Sequence, residues 1–251
     1  MIYNILNGDS LAYSFPDTKI DGDIIVVREC LIDGDMLGDN LHDLWKSRAK
    51  YMGLTEAEYH NKVAKEFEKI MNAPDNSEFN LWFEYDLFCQ VNMWFVISII
   101  NSLPIKKKVF AVYTSHLDKS SKIFWNGFGP ANTDELKVCY AKRILFSEAN
   151  MNLGQALWKA YKNGNLQELT NLSKHQSLAF PYLQEVVMAH VDRFPGDGKK
   201  GRPEKVIEDI TNNISTNFNE VFKEFWKRES IYGFGDTQLE SLYDKVMHDR
   251  K

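Results

Sequence analysis

Residues 79–103, FNLWFEYDLFCQVNMWFVISIINSL, constrain the fold more tightly than any other stretch of the chain. The segment opens as a strand-like run, 79–83, and passes through Glu84, Tyr85 and Asp86. It then continues for seventeen residues that are apolar almost all the way round. A helix apolar on every side has no face to give to water and is buried between other layers. Asp86 and Gln90 nevertheless stand one turn apart in it, with Cys89 and Asn92 alongside. Buried polar groups cost free energy unless they are partnered. The stretch therefore reads as a core strand, a polar turn and a core helix, with the turn placed to line a site.

The preceding sequence supplies neighbours for that centre. Residues 2–6 and the β-branched run 24–27 read as strands, the second with the continuous apolar pattern of a strand buried on both faces, and 109–114 reads as another. Residues 40–51 and 55–71 read as two exposed amphipathic helices, the second opened by a capping box of Thr55 and Glu58. Strands alternating with helices imply a parallel sheet covered on its faces. The expected fold is thus α/β, with a three-layer, Rossmann-like or flavodoxin-like domain over residues 1–115. Residues 116–251 form a mostly α-helical C-terminal part that closes over the sheet edge. In this part 117–130 reads as loop, 196–201 as the most linker-like stretch, and 133–145, 152–163, 166–172, 180–193, 203–211, 217–229 and 236–247 as helices.

Charge and composition exclude several classes of partner. The net charge of −5 argues against nucleic acid, which needs clustered Lys and Arg. The helix-turn-helix spacing of the tail fails on the same ground, because 203–251 holds ten acidic against seven basic residues. No membrane span is expected, since Gln90, Asn92, Ser98 and Asn101 interrupt the apolar run. The first eleven residues have no basic n-region of a signal peptide. Three cysteines in apolar surroundings read as free thiols in a reducing, cytoplasmic setting.

The groups that can carry chemistry fall at strand ends. Asn7-Gly8-Asp9-Ser10 follows the first strand, Arg28 and Glu29 the second, and Glu84 and Asp86 the central one. In a parallel α/β sheet these ends form the carboxyl edge, where ligands bind. Asn7, Gly8 and Ser10 would cradle an anion and Arg28 would pair with it. Glu84, with Asp9 or Asp86, would act as a base or hold a divalent metal. The plainer alternatives are helix caps at Asp9 and Ser10, and a salt-bridge network joining Arg28 to Glu84 or Asp86. No dedicated metal-ligand set is assigned: the acidic run Asp33, Asp35, Asp39, His42 and Asp43 matches no EF-hand loop, and His116, His175 and His248 stand alone. Neither a Walker loop nor Gly-x-Gly-x-x-Gly is present, and Ser10 lacks the elbow of a nucleophilic serine.

Five short motifs in order, Asn7-Gly8-Asp9-Ser10, Arg28-Glu29 followed by Gly34, the block from Leu81 to Gln90, His190 to Pro195, and Gly235-Asp236-Thr237-Gln238, resemble a bacterial family catalogued as domain of unknown function 1835. The likeness spans nearly the whole chain and departs at Gly34-Asp35, where the family has Gly-Pro. Its members carry no assigned activity, so it implies no catalytic residue. It does single out His190, Arg193, Asp236 and Gln238 as groups from the helical part that would reach the acidic edge, beside Glu29 and Gln90. His190 and Arg193, three apart, would otherwise pin a helix end, where cations suit the dipole. Two functions follow as expectations. One is binding of a small anionic ligand, a nucleotide or phosphoester, by a hydrolase or transferase; the other is a regulatory or protein-interaction module, partner unspecified, in which the polar cluster is structural.

Overall fold

The computed structural model describes residues 1–114, 127–196 and 198–249. His116, most of the expected loop 117–130 and part of the linker-like stretch 196–201 lie outside them. Five strands form one sheet: β1 (Ile2–Asn7), β2 (Asp23–Val27), β3 (Ser77–Trp82), β4 (Lys107–Val112) and β5 (Ile144–Leu145), in the order β2-β1-β3-β4-β5. The first four run parallel and β5 is antiparallel to β4. The fold is α/β with a helical C-terminal part, as the alternation of strand and helix implies.

Period-two alternation along the strands divides the core. Leu6, Trp82 and Val112 face a thin layer made by α1 (Asp9–Ser14), the 3₁₀ turn Phe15–Thr18 and α6 (Thr133–Ala141). Ile5, Ile25, Leu81 and Ala111 face a thick layer, where α4 (Lys65–Met71) and α5 (Leu87–Ser102) lie. Helix α5 is the buried centre expected of 79–103, with twelve of its residues buried. Outside it lies α7 (Glu148–Lys162), followed by α8 (Leu166–Leu172), α9 (Leu183–Val191), α10 (Arg202–Asn213), α11 (Phe218–Glu229) and α12 (Asp236–His248). The larger apolar core runs without a break from Tyr3 to Val246.

Three local expectations are corrected. The helix expected over 55–71 is α3 (Glu56–Tyr59), a π-turn His60–Ala64 and α4, although the Thr55–Glu58 capping box is present. The helix expected over 133–145 stops at Ala141, and Ile144–Leu145 pairs with β4, so the sheet draws on residues beyond 115. A two-residue strand is too short to leave a periodic signal. Helix α2 (Leu41–Tyr51), read as exposed, carries the fully buried Arg48. Among the described residues no helix is long and apolar enough to cross a membrane.

Helices α5 and α7 pack tightly at Gly154, where a Cβ would lie 2.7 Å from Ile97 Cγ2. Gly154→Leu improves helix propensity but overpacks this contact, and should destabilise the protein by about 1–3 kcal/mol. Urea denaturation checks this; an unchanged midpoint would show that the two helices can part without cost.

Candidate functional site

From β1 the chain crosses to β2 on one side, while β3 lies on the other, so the sheet's switch point falls between β1 and β3. A crevice opens at such a point beyond the carboxyl ends of the strands. Asn7 and Gly8 leave β1 here and Glu84, Tyr85 and Asp86 leave β3. Gly8 has φ 86°, a conformation that disfavours side chains, and the space where its Cβ would point is open. Its N–H donates to Val27 O at 2.9 Å, tying the loop to β2.

The polar turn after β3 is built around the first turn of α5. Asp86 is the N-cap and accepts from the Cys89 backbone N–H at 3.0 Å. Gln90 Nε2 donates back to Glu84 O at 2.7 Å, which holds the turn against the helix. Glu84 accepts from the Cys89 thiol at 3.1 Å and from the Phe128 N–H at 3.1 Å. Asn7 Nδ2 donates to Cys89 Sγ at 3.0 Å, so the residue ending β1 touches the same cluster. Asn92, one turn further along α5, donates to Asn7 Oδ1 at 2.9 Å and to Glu29 O at 2.7 Å, tying the ends of β1 and β2 to α5.

Two glycines press on the carboxylates. A Cβ on Gly127 would meet Glu84 Oε1 at 2.2 Å, and one on Gly233 would meet Asp86 Oδ1 at 2.1 Å. Backbone from two distant parts of the chain thus roofs the pair. Burial raises the Glu84 carboxyl above its ordinary range. Burial, reinforced by the charge of Glu84, pushes Asp86 up to about 7. Burial and both carboxylates hold the Cys89 thiol protonated, well above its usual range. One ligand atom from each of Glu84, Asp86 and Cys89 lies within 4.8 Å of the others. Two carboxylate oxygens and a sulfur suit a divalent ion such as Zn²⁺, which would displace the thiol proton and relieve the repulsion between the acids.

The other candidates separate from this cluster. Arg28 does not bridge to Glu84 or Asp86: its Nε donates to Asp9 at 2.9 Å, and the pair sits part-exposed at the rim, with Glu66 at 4.0 Å. Ser10 is exposed on α1. Glu29 turns inward and is sealed by Arg48, 2.9 Å away, and by the Tyr59 hydroxyl. Arg48 and Tyr59 escaped the sequence reading because both lie on helices whose polar residues were assigned to solvent.

From the helical part, Arg193 reaches the loop after β2, donating to Ile32 O at 2.9 Å and pairing with Asp33 at 2.7 Å. Gln238 completes a capping box on Gly235 N and donates to Cys30 Sγ at 3.4 Å. Asp236 is exposed and holds the Thr237 N–H. His190 does not face the acids; it is buried against Tyr161, ring centroids 4.6 Å apart, and Phe194, at 5.3 Å. From residues 116–251 it is the backbone at Gly127–Phe128 and the turn at Gly233 that touch the carboxylate cluster, and the signal of the second was the glycine before the Gly235-Asp236-Thr237-Gln238 motif.

No family model, no curated protein and no solved structure matches this chain.

Proposed function

We propose that the protein binds a small anionic ligand, a nucleotide or another phosphoester, at the carboxyl edge of its sheet and moves a proton on it as a hydrolase or transferase. The observation that carries this reading is the convergence of Glu84, Asp86 and Cys89 with Asn7 at the switch point of the sheet. A carboxyl near neutrality is matched to general acid–base work at ordinary pH. The wall is acidic, so an anion needs either a proton shared by the acid pair or a divalent cation bridging to it. Arg28 at the rim would exchange Asp9 for the ligand's charge. The three free cysteines fit a reducing cytoplasm, and kinship with the family named above belongs to the same proposal.

Thermal denaturation with nucleotides and sugar phosphates, each with and without Mg²⁺, Mn²⁺ or Zn²⁺, tests it. A ligand at a hundred times its dissociation constant adds about 2.7 kcal/mol of stability. The shift should require the cation or a pH below 7, and should be lost in Glu84→Gln. If no ligand shifts the midpoint under either condition, the reading fails. The second reading then stands: a regulatory or interaction module whose polar residues are structural. It is favoured by the sealed Glu29–Arg48–Tyr59 group and by Asp86 serving as a helix cap.

A further inference from the structure

Beside the contact of α5 and α7 at Gly154, residues of both helices and of the loop before α2 line a common groove. The groove is about 940 Å³, within the range of small-molecule sites and built from none of the residues of the carboxyl-edge cluster. Its floor is apolar: Phe95 and Ile99 of α5, and Trp158 of α7, whose ring lies 4.7 Å from that of Phe95. Its rim is a row of donors. Asn152, Gln155, Lys159 and Lys162 recur along α7 at spacings of three, four and three, which places them on one face of the helix.

The hydrogen bonds show what that rim still has to offer. Asn101 Nδ2 donates to Asn152 Oδ1 at 3.2 Å and to Gln155 Oε1 at 2.7 Å, so both oxygens are engaged and both amide NH₂ groups remain as donors. Lys162 holds Gly38 O and fastens the end loop to α7. Lys159 is exposed, and its ammonium group has no hydrogen-bond or ion-pair partner among the described residues. Asp39, at the mouth of the groove, is outnumbered by the two lysines. An apolar floor beside a rim of free N–H groups and a lysine calls for a ligand with an apolar body and an acceptor head.

We propose that this groove is a second binding site, for an amphipathic oxyanion whose apolar body lies over Phe95 and Trp158 and whose head meets Lys159, Gln155 and Asn152. The site is independent of the acid pair at the sheet edge. The dye 8-anilinonaphthalene-1-sulfonate has this chemistry and brightens in an apolar environment. Titrated into the full chain, it should bind saturably with one equivalent. Lys159→Glu, a surface change, should weaken it on the order of tenfold or more, the loss of a charge-assisted hydrogen bond. Ala156→Trp, which fills the groove, should abolish the signal. Octanoate and octyl phosphate, added as competitors, distinguish a carboxylate from a phosphate head, and displacement by either supports the site. Absence of saturable binding, or an affinity unchanged in Lys159→Glu, overturns the proposal, as does failure of both competitors. Glu84→Gln, which disables the site under Proposed function, should leave dye binding intact.

Discussion

Asp86→Asn should stabilise the protein in alkaline buffer and do little in acid. Asparagine caps a helix as well as aspartate does, so the bond to the Cys89 N–H survives and only the charge is removed. The folded carboxyl holds its proton up to about pH 7, against an ordinary value of 3.8. Between those values the folded state carries a proton that the unfolded chain has released. The stability that this proton represents is therefore fully present below 3.8 and is lost as pH rises through about 7. At about 1.36 kcal/mol per pH unit, the loss of this one contribution is on the order of 4 kcal/mol by pH 8. Urea denaturation of both proteins at pH 4, 6 and 8 should show a gap that opens with pH. Saturating Zn²⁺ should close it, because a bound cation holds the carboxylate ionised. A gap that is flat with pH would mean that Asp86 titrates as an ordinary surface acid and that the cluster is not poised.

Much of this site was legible in the sequence because its parts sit where periodicity breaks. The polar turn Glu84–Asp86 interrupts an apolar run, so the sequence marks both the element and its exception. The parallel sheet followed from strands separated by helices, Asn7, Glu84 and Asp86 followed as residues at strand ends, and Gln90 as a polar group one turn into the core helix. Pairing was not legible. Arg28 had three carboxylates within reach in principle, and the one it pairs with is Asp9, at the start of α1. Arg48 lies on a helix read as amphipathic, yet its guanidinium is buried because Glu29 turns under it from the end of β2. Residues that touch through backbone leave still less trace. Gly127 and Gly233 meet Glu84 and Asp86 across long stretches of chain, and a glycine in a turn looks the same whether it approaches a carboxylate or open solvent.

The groove between α5 and α7 was missed for a related reason. A row of amides and lysines on one face of a helix reads as a solvated surface, and only the apolar residues of α5 and the loop before α2 beside it make it a wall.

His190→Phe should remove an acid lability of opposite sign. His190 lies against Tyr161 and Phe194 with its Nδ1 unpartnered, and burial, with Arg193 nearby, drives its pKa from 6.5 down to about 3. The unfolded chain takes up a proton below pH 6.5 that the folded chain refuses until about pH 3, so stability is lost as pH falls through that window. The full loss is on the order of 5 kcal/mol, close in size to the Asp86 effect and opposed to it. The contributions of these two groups nearly cancel between pH 4 and 6.5: as pH falls, Asp86 gains stability for the fold while His190 loses it. Each substitution should unmask the other group. Asp86→Asn should become markedly less stable on acidification, whereas His190→Phe should become less stable as pH rises toward 7. The double variant should return to the wild-type slope. The informative quantity is the slope of unfolding free energy against pH, which is insensitive to any constant packing change that phenylalanine brings. If His190→Phe has the wild-type slope, His190 is protonated in the folded protein and the cancellation has another source. If Asp86→Asn alone changes the slope, the acid pair is poised without a counterweight in the helical part.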